Sequence, residues 1–425
     1  MNVPMHALAK GLRQNGRIRF FEHMAEQFPT THLKDLVFEE VDPHRRIVID
    51  GHPMINFGSD SYLGFDQDPR VQEAIIHGVE KWGTQHGTSR AFASVGVNEE
   101  AEFKLAEWLG SEAVIVYPSV TLANMGAIPG LVGRKDLLVV DEHAHNSVQE
   151  GVKLAKANGT RVVPFSHCDP DDLTRVLNSA GEYRCAVVAI DGVYSMSGGL
   201  PPLAELDAVA RRHRAVLYID DAHGTGVLGE RGRGTVLDAL GNYGNTFVVG
   251  CLSKAFSCLG GFIGCTEEFK PLLKMTSNTY IFGGPIPPPY LQAICTVCDI
   301  LLSSEYDEIM ARLKSNHLQM LDGMNRQGLA VVGGATPIIS VLVGDEADTL
   351  NAGRFLFDRG YFVPSVTFPA VPYHAGLLRV QVNANHLAES IDGLLETFDE
   401  LRREIALPGH EELQKVYSEI GSEAA

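Results

Sequence analysis

Two neighbouring stretches decide the reading: AVLYIDDAHGTGVLGERGRG (215–234) and TFVVGCLSKAFSCLGG (246–261). Each opens with a short run rich in β-branched and aromatic residues, apolar on both faces, and then breaks into polar, glycine-containing sequence. Such a run belongs to a strand covered by helices on both sides. In open sheets of this kind ligands bind beyond the C-terminal strand ends. Asp220, Asp221 and His223 after the first run, and Ser253 and Lys254 after the second, are therefore the first candidates for chemistry.

Working outward, AVIVYP (113–118), DLLVVD (136–141), TRVVPF (160–165) and CAVVAID (185–191) repeat the pattern, with amphipathic stretches such as LAELDAVARRH (203–213) between them. The alternation predicts an α/β fold with a mostly parallel central sheet. The strand ends add Ser119 and Thr121, His143 and His145, and Asp191 to Ser197. Beyond Pro285 the character changes: a helix-like stretch at 290–327, strands around 329–344 and 376–383, and helices at 347–358 and 388–405. The expected organisation is an N-terminal helix and hairpin (1–55), a large α/β domain (56–289), a smaller α+β domain (290–407) and a polar tail (408–425).

Composition narrows the function. The chain has 425 residues, 21% charged and 45% apolar, with a formal net charge of -18, so nucleic acid is not the expected partner. The N-terminus lacks the apolar run of a signal peptide and no stretch suits a membrane span, so a cytoplasmic protein is expected. The seven cysteines make a poor disulfide framework; Cys295 and Cys298 lie in an apolar helix-like run with no ligand set at zinc spacing, so they read as core and no metal is expected. Lys10, Arg13, Arg17 and Arg19 form the densest basic cluster, either a solvated helix face or a contact for an anionic substrate.

Lys254 sits just past a strand beside Leu252, Ala255 and Phe256. Partial burial among such neighbours favours a nucleophilic amine over a surface lysine, as a Schiff base requires. Asp220 alone suits a metal ligand, a helix cap or the partner of a protonated ring nitrogen. With a lysine 34 residues later on the next strand, the ring-nitrogen role of a pyridoxal-phosphate enzyme is the best of the three.

Taken together, IDDAHGTGVLGERGRG (219–234), SKAF with GG (253–261), NFGSDSYLG (56–64), GTSR (87–90), LAEWLG (105–110), DEHAHNS (141–147), DGVYSMSGGLPPL (191–203) and LLRVQVNANH (377–386) resemble the α-oxoamine synthase family of aspartate-aminotransferase fold (fold type I). The resemblance spans about residues 45–400. It implies pyridoxal 5'-phosphate, with Lys254, His145, Asp220 and His223 as catalytic residues. His145 would lie against the pyridine face, and Ser195 and His223 near the phenolic oxygen. Ser119, Val120, Thr121, Ser253, Gly283 and Gly284 would complete the cofactor site. Arg379, Asn56, Tyr62 and Arg90 would meet the substrate, Arg379 gripping a carboxylate through its planar fork. The chain also departs from the family. Val120 replaces the glycine of a Ser-Gly-aromatic motif, and Cys251 replaces a threonine. FGGPIPPP (282–289) stands where a Ser or Thr crosses the dimer, Asn98 replaces a histidine, and the Asp60-Ser61 pair is altered.

The implied activity is a decarboxylative condensation of an amino acid with an acyl thioester, carried on coenzyme A or a carrier protein, to give an α-amino ketone. The enzyme would be a homodimeric acyltransferase of lipid metabolism and biosynthesis. VTFPAVP (366–372) leans toward the serine palmitoyltransferases and a long acyl donor, with 8-amino-7-oxononanoate synthases and 2-amino-3-ketobutyrate ligases as alternatives. An aminotransferase on the same fold is the rival enzyme. A non-catalytic partner subunit is the rival of another class, and it would be expected to lose Lys254.

Overall fold

The six apolar runs become strands within a residue of their expected bounds: β1 (Ala113–Tyr117), β2 (Leu137–Asp141), β3 (Arg161–Phe165), β4 (Ala186–Asp191), β5 (Ala215–Asp220) and β6 (Thr246–Cys251). A computed structural model describes residues 4–28 and 35–409; the rest of the predicted tail, from 410, lies outside the described residues. A seventh strand, β7 (Gly261–Cys265), completes a sheet of order β1-β7-β6-β5-β4-β2-β3. β7 runs antiparallel to both neighbours, and the remaining pairs are parallel. It escaped the sequence reading because its two glycines look like loop. Those glycines permit close packing instead: a Cβ on Gly264 would meet Leu109 at 2.7 Å, and one on Gly261 would lie 2.7 Å from the backbone nitrogen of Val120.

Register then places the chemistry. Asp191 at the end of β4 pairs with Asp220 at the end of β5, and Asp220 pairs with Val249 on β6. Three strand ends thus lie side by side in the middle of the sheet. Helix α1 (Val120–Leu131) follows β1 and helix α2 (Asn146–Ala157) follows β2. The two pack closely at Gly151, where a Cβ would come within 2.6 Å of the Asn124 carbonyl oxygen.

Past Pro288 the single helix-like stretch is two helices, Pro288–Leu302 and Glu305–Arg326, broken at Ser303 and Ser304. Cys295 and Cys298 are buried in the first of them, unpaired, as core residues. An antiparallel sheet follows, in the order Val331–Gly333, Ile338–Gly344, Gly376–Gln381 and Ser365–Val366. The N-terminal hairpin Arg46–Ile49 and His52–Asn56 does not stand apart: Ile55 and Asn56 pair in parallel with Tyr361 and Phe362 of the C-terminal part. No helix among the described residues is long and apolar enough to cross a membrane.

Candidate active site

The ends of β1, β2, β4, β5 and β6 enclose a cavity of about 190 Å³ lined by Lys254, His223, Asp220, His145, Ser119 and Thr121 among others. Lys254 Nζ lies 2.7 Å from His223 Nε2. His223 Nδ1 in turn lies 2.8 Å from the Tyr62 hydroxyl, which donates to Asp60 Oδ1 at 3.0 Å. With the Tyr62 proton directed at Asp60, the oxygen accepts from His223 Nδ1–H and leaves Nε2 as an acceptor for the amine. Burial, then the positive charges of Lys254 and Arg379, hold the His223 pKa well below its usual value. His223 is thus a neutral acceptor that orients the amine.

Asp220 ends its strand 3% exposed. Its Oδ1 accepts from the Ala222 N–H at 3.2 Å and its Oδ2 from Asn124 Nδ2 at 2.7 Å. Beside it, Asp191 is pushed well above the usual carboxylate range by burial and by Asp220. The Asp191 side chain accepts the His145 N–H at 3.0 Å and so anchors the loop carrying that histidine. Desolvation lowers the His145 pKa, and Lys254 opposes protonation while Asp220 favours it. His143 does not reach the cavity; its N–H caps Asp141, which also accepts from the Tyr194 hydroxyl at 2.8 Å.

At the other end of the cavity, Ser119 caps α1 by accepting from Leu122 N–H at 3.1 Å. The N–H groups of Val120 and Thr121 have no hydrogen-bond partner among the described residues. Two free N–H groups at a helix N-terminus make an anion site. Gly261 keeps the space beside Val120 open, since a Cβ there would fill it. Ser253 Oγ lies 3.2 Å from Cys251 Sγ, a hydroxyl next to the position of the missing threonine. An amine, a buried carboxylate and an anion cradle therefore face one cavity, a donor set that fits pyridoxal phosphate.

Not every expected residue joins this cavity. Arg379 stands behind its wall, where Nε donates to the Ser195 carbonyl at 2.7 Å and Nη2 lies 3.4 Å from Asp60. Gln381 binds the same Asp60 oxygen. Asn56 uses its side-chain oxygen on Gly58 N–H at 2.8 Å. Arg90 is committed elsewhere, paired with buried Glu102 at 2.5 Å and with Glu99 at 3.3 Å. Gly283 and Gly284 are exposed beyond the helix Asn278–Phe282, away from this chain's own cavity. Sequence reasoning missed Asn124, although a polar residue in the apolar run VTLANMGAI demands a buried partner.

Asp221, fully buried behind Asp220, is pushed up to about 7 by burial, against the hydrogen bonds from Thr235. Below about pH 4 this carboxyl is neutral in folded and unfolded chains alike. As pH rises toward 7 the unfolded chain ionises first, so stability falls across that window. Wild type should therefore lose stability relative to Asp221→Asn between pH 4.5 and 7.5. Urea midpoints of both proteins check this, and a constant difference across the window would refute it.

Comparison with known proteins gives the family and the fold. Residues 52–398 match the family described as aminotransferase class I and II. The chain is 36% identical over 364 residues to an 8-amino-7-oxononanoate synthase of Alkaliphilus oremlandii, covering 85% of this chain and 90% of that one. It is 32% identical over 366 residues to a serine palmitoyltransferase of Bacteriovorax stolpii, covering 86% of each. The solved serine palmitoyltransferase of S. paucimobilis superposes with a TM-score of 0.85 at 28% identity, covering 91% of this chain and 98% of that one. A cavity floored by a lysine and a buried aspartate, on a fold shared with these enzymes, leads to one assignment: the chain belongs to the aminotransferase class I and II family and, within it, to the α-oxoamine synthases, pyridoxal-phosphate-dependent acyltransferases of aspartate-aminotransferase fold.

Proposed function

We propose that Lys254, Asp220, His145 and His223 carry out a decarboxylative condensation of an amino acid with an acyl thioester. The observation that carries this reading is Lys254 Nζ, 2.7 Å from His223 Nε2 in the cavity that Asp220 and His145 also line. Bound pyridoxal phosphate supplies the electron sink for a carbanion at the amino acid's α-carbon. Lys254 Nζ would hold the cofactor and would serve as the base for the amino acid's α-proton. His223, kept neutral, accepts a hydrogen bond from that amine and sets its direction. Asp220 would keep the ring nitrogen protonated, and the α1 N-terminus with Ser119, Thr121 and Ser253 would hold the phosphate. Arg379, held behind the cavity wall by Ser195 and Asp60, would pair with the substrate carboxylate once substrate is bound. With the cofactor bound, the α-carbon would bond to the thioester carbonyl as the thiolate leaves, carbon dioxide would depart, and Lys254 would return the proton to the α-carbon to give the α-amino ketone.

The test follows labelled carbon dioxide from a carboxyl-labelled amino acid, with and without thioester. Serine with a palmitoyl thioester, favoured by the likeness to the serine palmitoyltransferases, is compared with a shorter carboxylate-ended acyl donor. Release that requires the thioester supports the reading. Formation of a keto acid, with no need for thioester, would establish the aminotransferase instead.

A homodimer is part of the same proposal. Phe92, Phe103, Met275 and Phe282 are 67–89% exposed. They sit on segments tied together by the Ser89–Ile281 hydrogen bond and the Glu102–Lys270 ion pair. Exposed aromatics gathered in one region mark an association surface. Gly283 follows Phe282 directly, so the partner's chain would bring its Gly283 and Gly284 backbone toward the phosphate. In sedimentation, Phe282→Asp should shift the dimer to monomer and weaken cofactor binding. A wild-type monomer with full cofactor occupancy and activity would remove the dimer from the account.

A further inference from the structure

We propose that Asn124 is a positioning residue that ties Asp220 and His145 into one hydrogen-bonded unit; the proposal rests on the roles assigned to those two residues above. Asn124 is fully buried on α1, within reach of β5 and of the start of α2. Its Oδ1 accepts from the Tyr218 hydroxyl at 2.8 Å. Its Nδ2 donates to Asp220 Oδ2 at 2.7 Å and to Ser147 Oγ at 2.9 Å. All of the amide's donors are used, and the orientation is determined. A flipped amide would set two acceptor oxygens 2.7 Å apart and leave the Tyr218 proton facing an NH₂ group.

The consequence passes through Ser147 to His145. Because Ser147 Oγ accepts from Asn124, its own proton is free for His145 Nδ1, 2.7 Å away. The Ser147 backbone N–H, which can only donate, points at the same nitrogen from 3.2 Å. His145 Nδ1 therefore carries the lone pair, and the ring proton sits on Nε2. One amide thus supplies a donor to the ring-nitrogen carboxylate and fixes the tautomer of the stacking histidine. Gly151 makes this possible by letting α2 approach the Asn124 backbone, which brings Ser147 within reach of the amide. A buried asparagine serving only the fold would not need both of its protons on groups that line the cavity or hold one that does.

The test uses holoenzyme loaded with pyridoxal phosphate labelled with nitrogen-15 in its ring, whose resonance reports protonation at that atom. Asn124→Leu keeps the volume and removes every hydrogen bond. It should move the ring resonance toward the unprotonated value and slow exchange of the substrate α-proton about tenfold. Tyr218→Phe, a change of one oxygen atom that keeps the core packed, should move both readouts in the same direction by about threefold in rate. It keeps the proposal testable if the leucine variant fails to fold. Asp220→Asn serves as the reference. If it moves the resonance while Asn124→Leu and Tyr218→Phe do not, Asn124 has no positioning role although Asp220 keeps its own. If none of the three moves it, the ring-nitrogen role of Asp220 fails and the proposal with it.

Discussion

Replacing Lys254 with alanine is expected to abolish turnover. Lys254 is the one amine among the described residues that line the cavity, and none of those neighbours can take its place. In the proposed mechanism the residue serves twice, as the group that binds the cofactor and as the base at the α-carbon. Removing a positioned general base alone costs roughly 10²–10⁴-fold, and losing the covalent anchorage adds to this. A fall of at least about 10⁴-fold is therefore expected. The fold should survive, because among the described residues the Nζ has a single hydrogen-bond partner, His223. Borohydride treatment should link the cofactor to wild type but not to the variant, as mass spectrometry of the intact chain will show. Activity within tenfold of wild type would take Lys254 out of the mechanism.

Asp220→Asn should separate function from stability. The substitution removes the charge proposed to keep the ring nitrogen protonated, and it confronts the Asn124 amide with another amide. Loss of one preorganised charge-stabilising contact in a buried site costs about 3–4 kcal/mol, or roughly 10²–10³-fold in kcat. Exchange of the α-proton should slow by the same factor, and an unchanged exchange rate would exclude the proposed role. Stability should move the other way. Asp220 raises the pKa of both Asp191 and Asp221 by electrostatic repulsion, which means its charge and theirs disfavour one another. Neutralising Asp220 relieves that repulsion, so the melting temperature of the cofactor-free variant should stay level or rise. Such opposition between activity and stability is common where a charge is buried for chemistry.

The candidate site was readable wherever a residue's meaning is local. Asp220 ends an apolar run, Lys254 and His145 lie within four residues of the end of one, and strand ends in an α/β sheet are where ligands bind. Arg90 was misleading for the opposite reason. GTSR (87–90) carries no sign that Glu102, a turn into the next helix pattern, would be buried and would claim the guanidinium. Asn124 was passed over because the run around it reads as an ordinary apolar helix; its value lies in partners on β5 and α2.

The alternation of strand and helix, and with it the α/β class, follows from hydrophobic periodicity and turn chemistry alone, both properties of a few consecutive residues. Sheet order, the antiparallel β7 and the pairing of the N-terminal hairpin with Tyr361 and Phe362 do not follow from it. They depend on which elements bury one another. The same is true of the contacts that make the site. Lys254 meets His223 across 31 residues, Asp220 meets Asn124 across 96, and Asp60 meets Gln381 across 321. Neighbours in sequence share a strand or a helix whatever the rest of the chain does, whereas groups this far apart come within 3 Å only after sheet register and core packing have set every element between them.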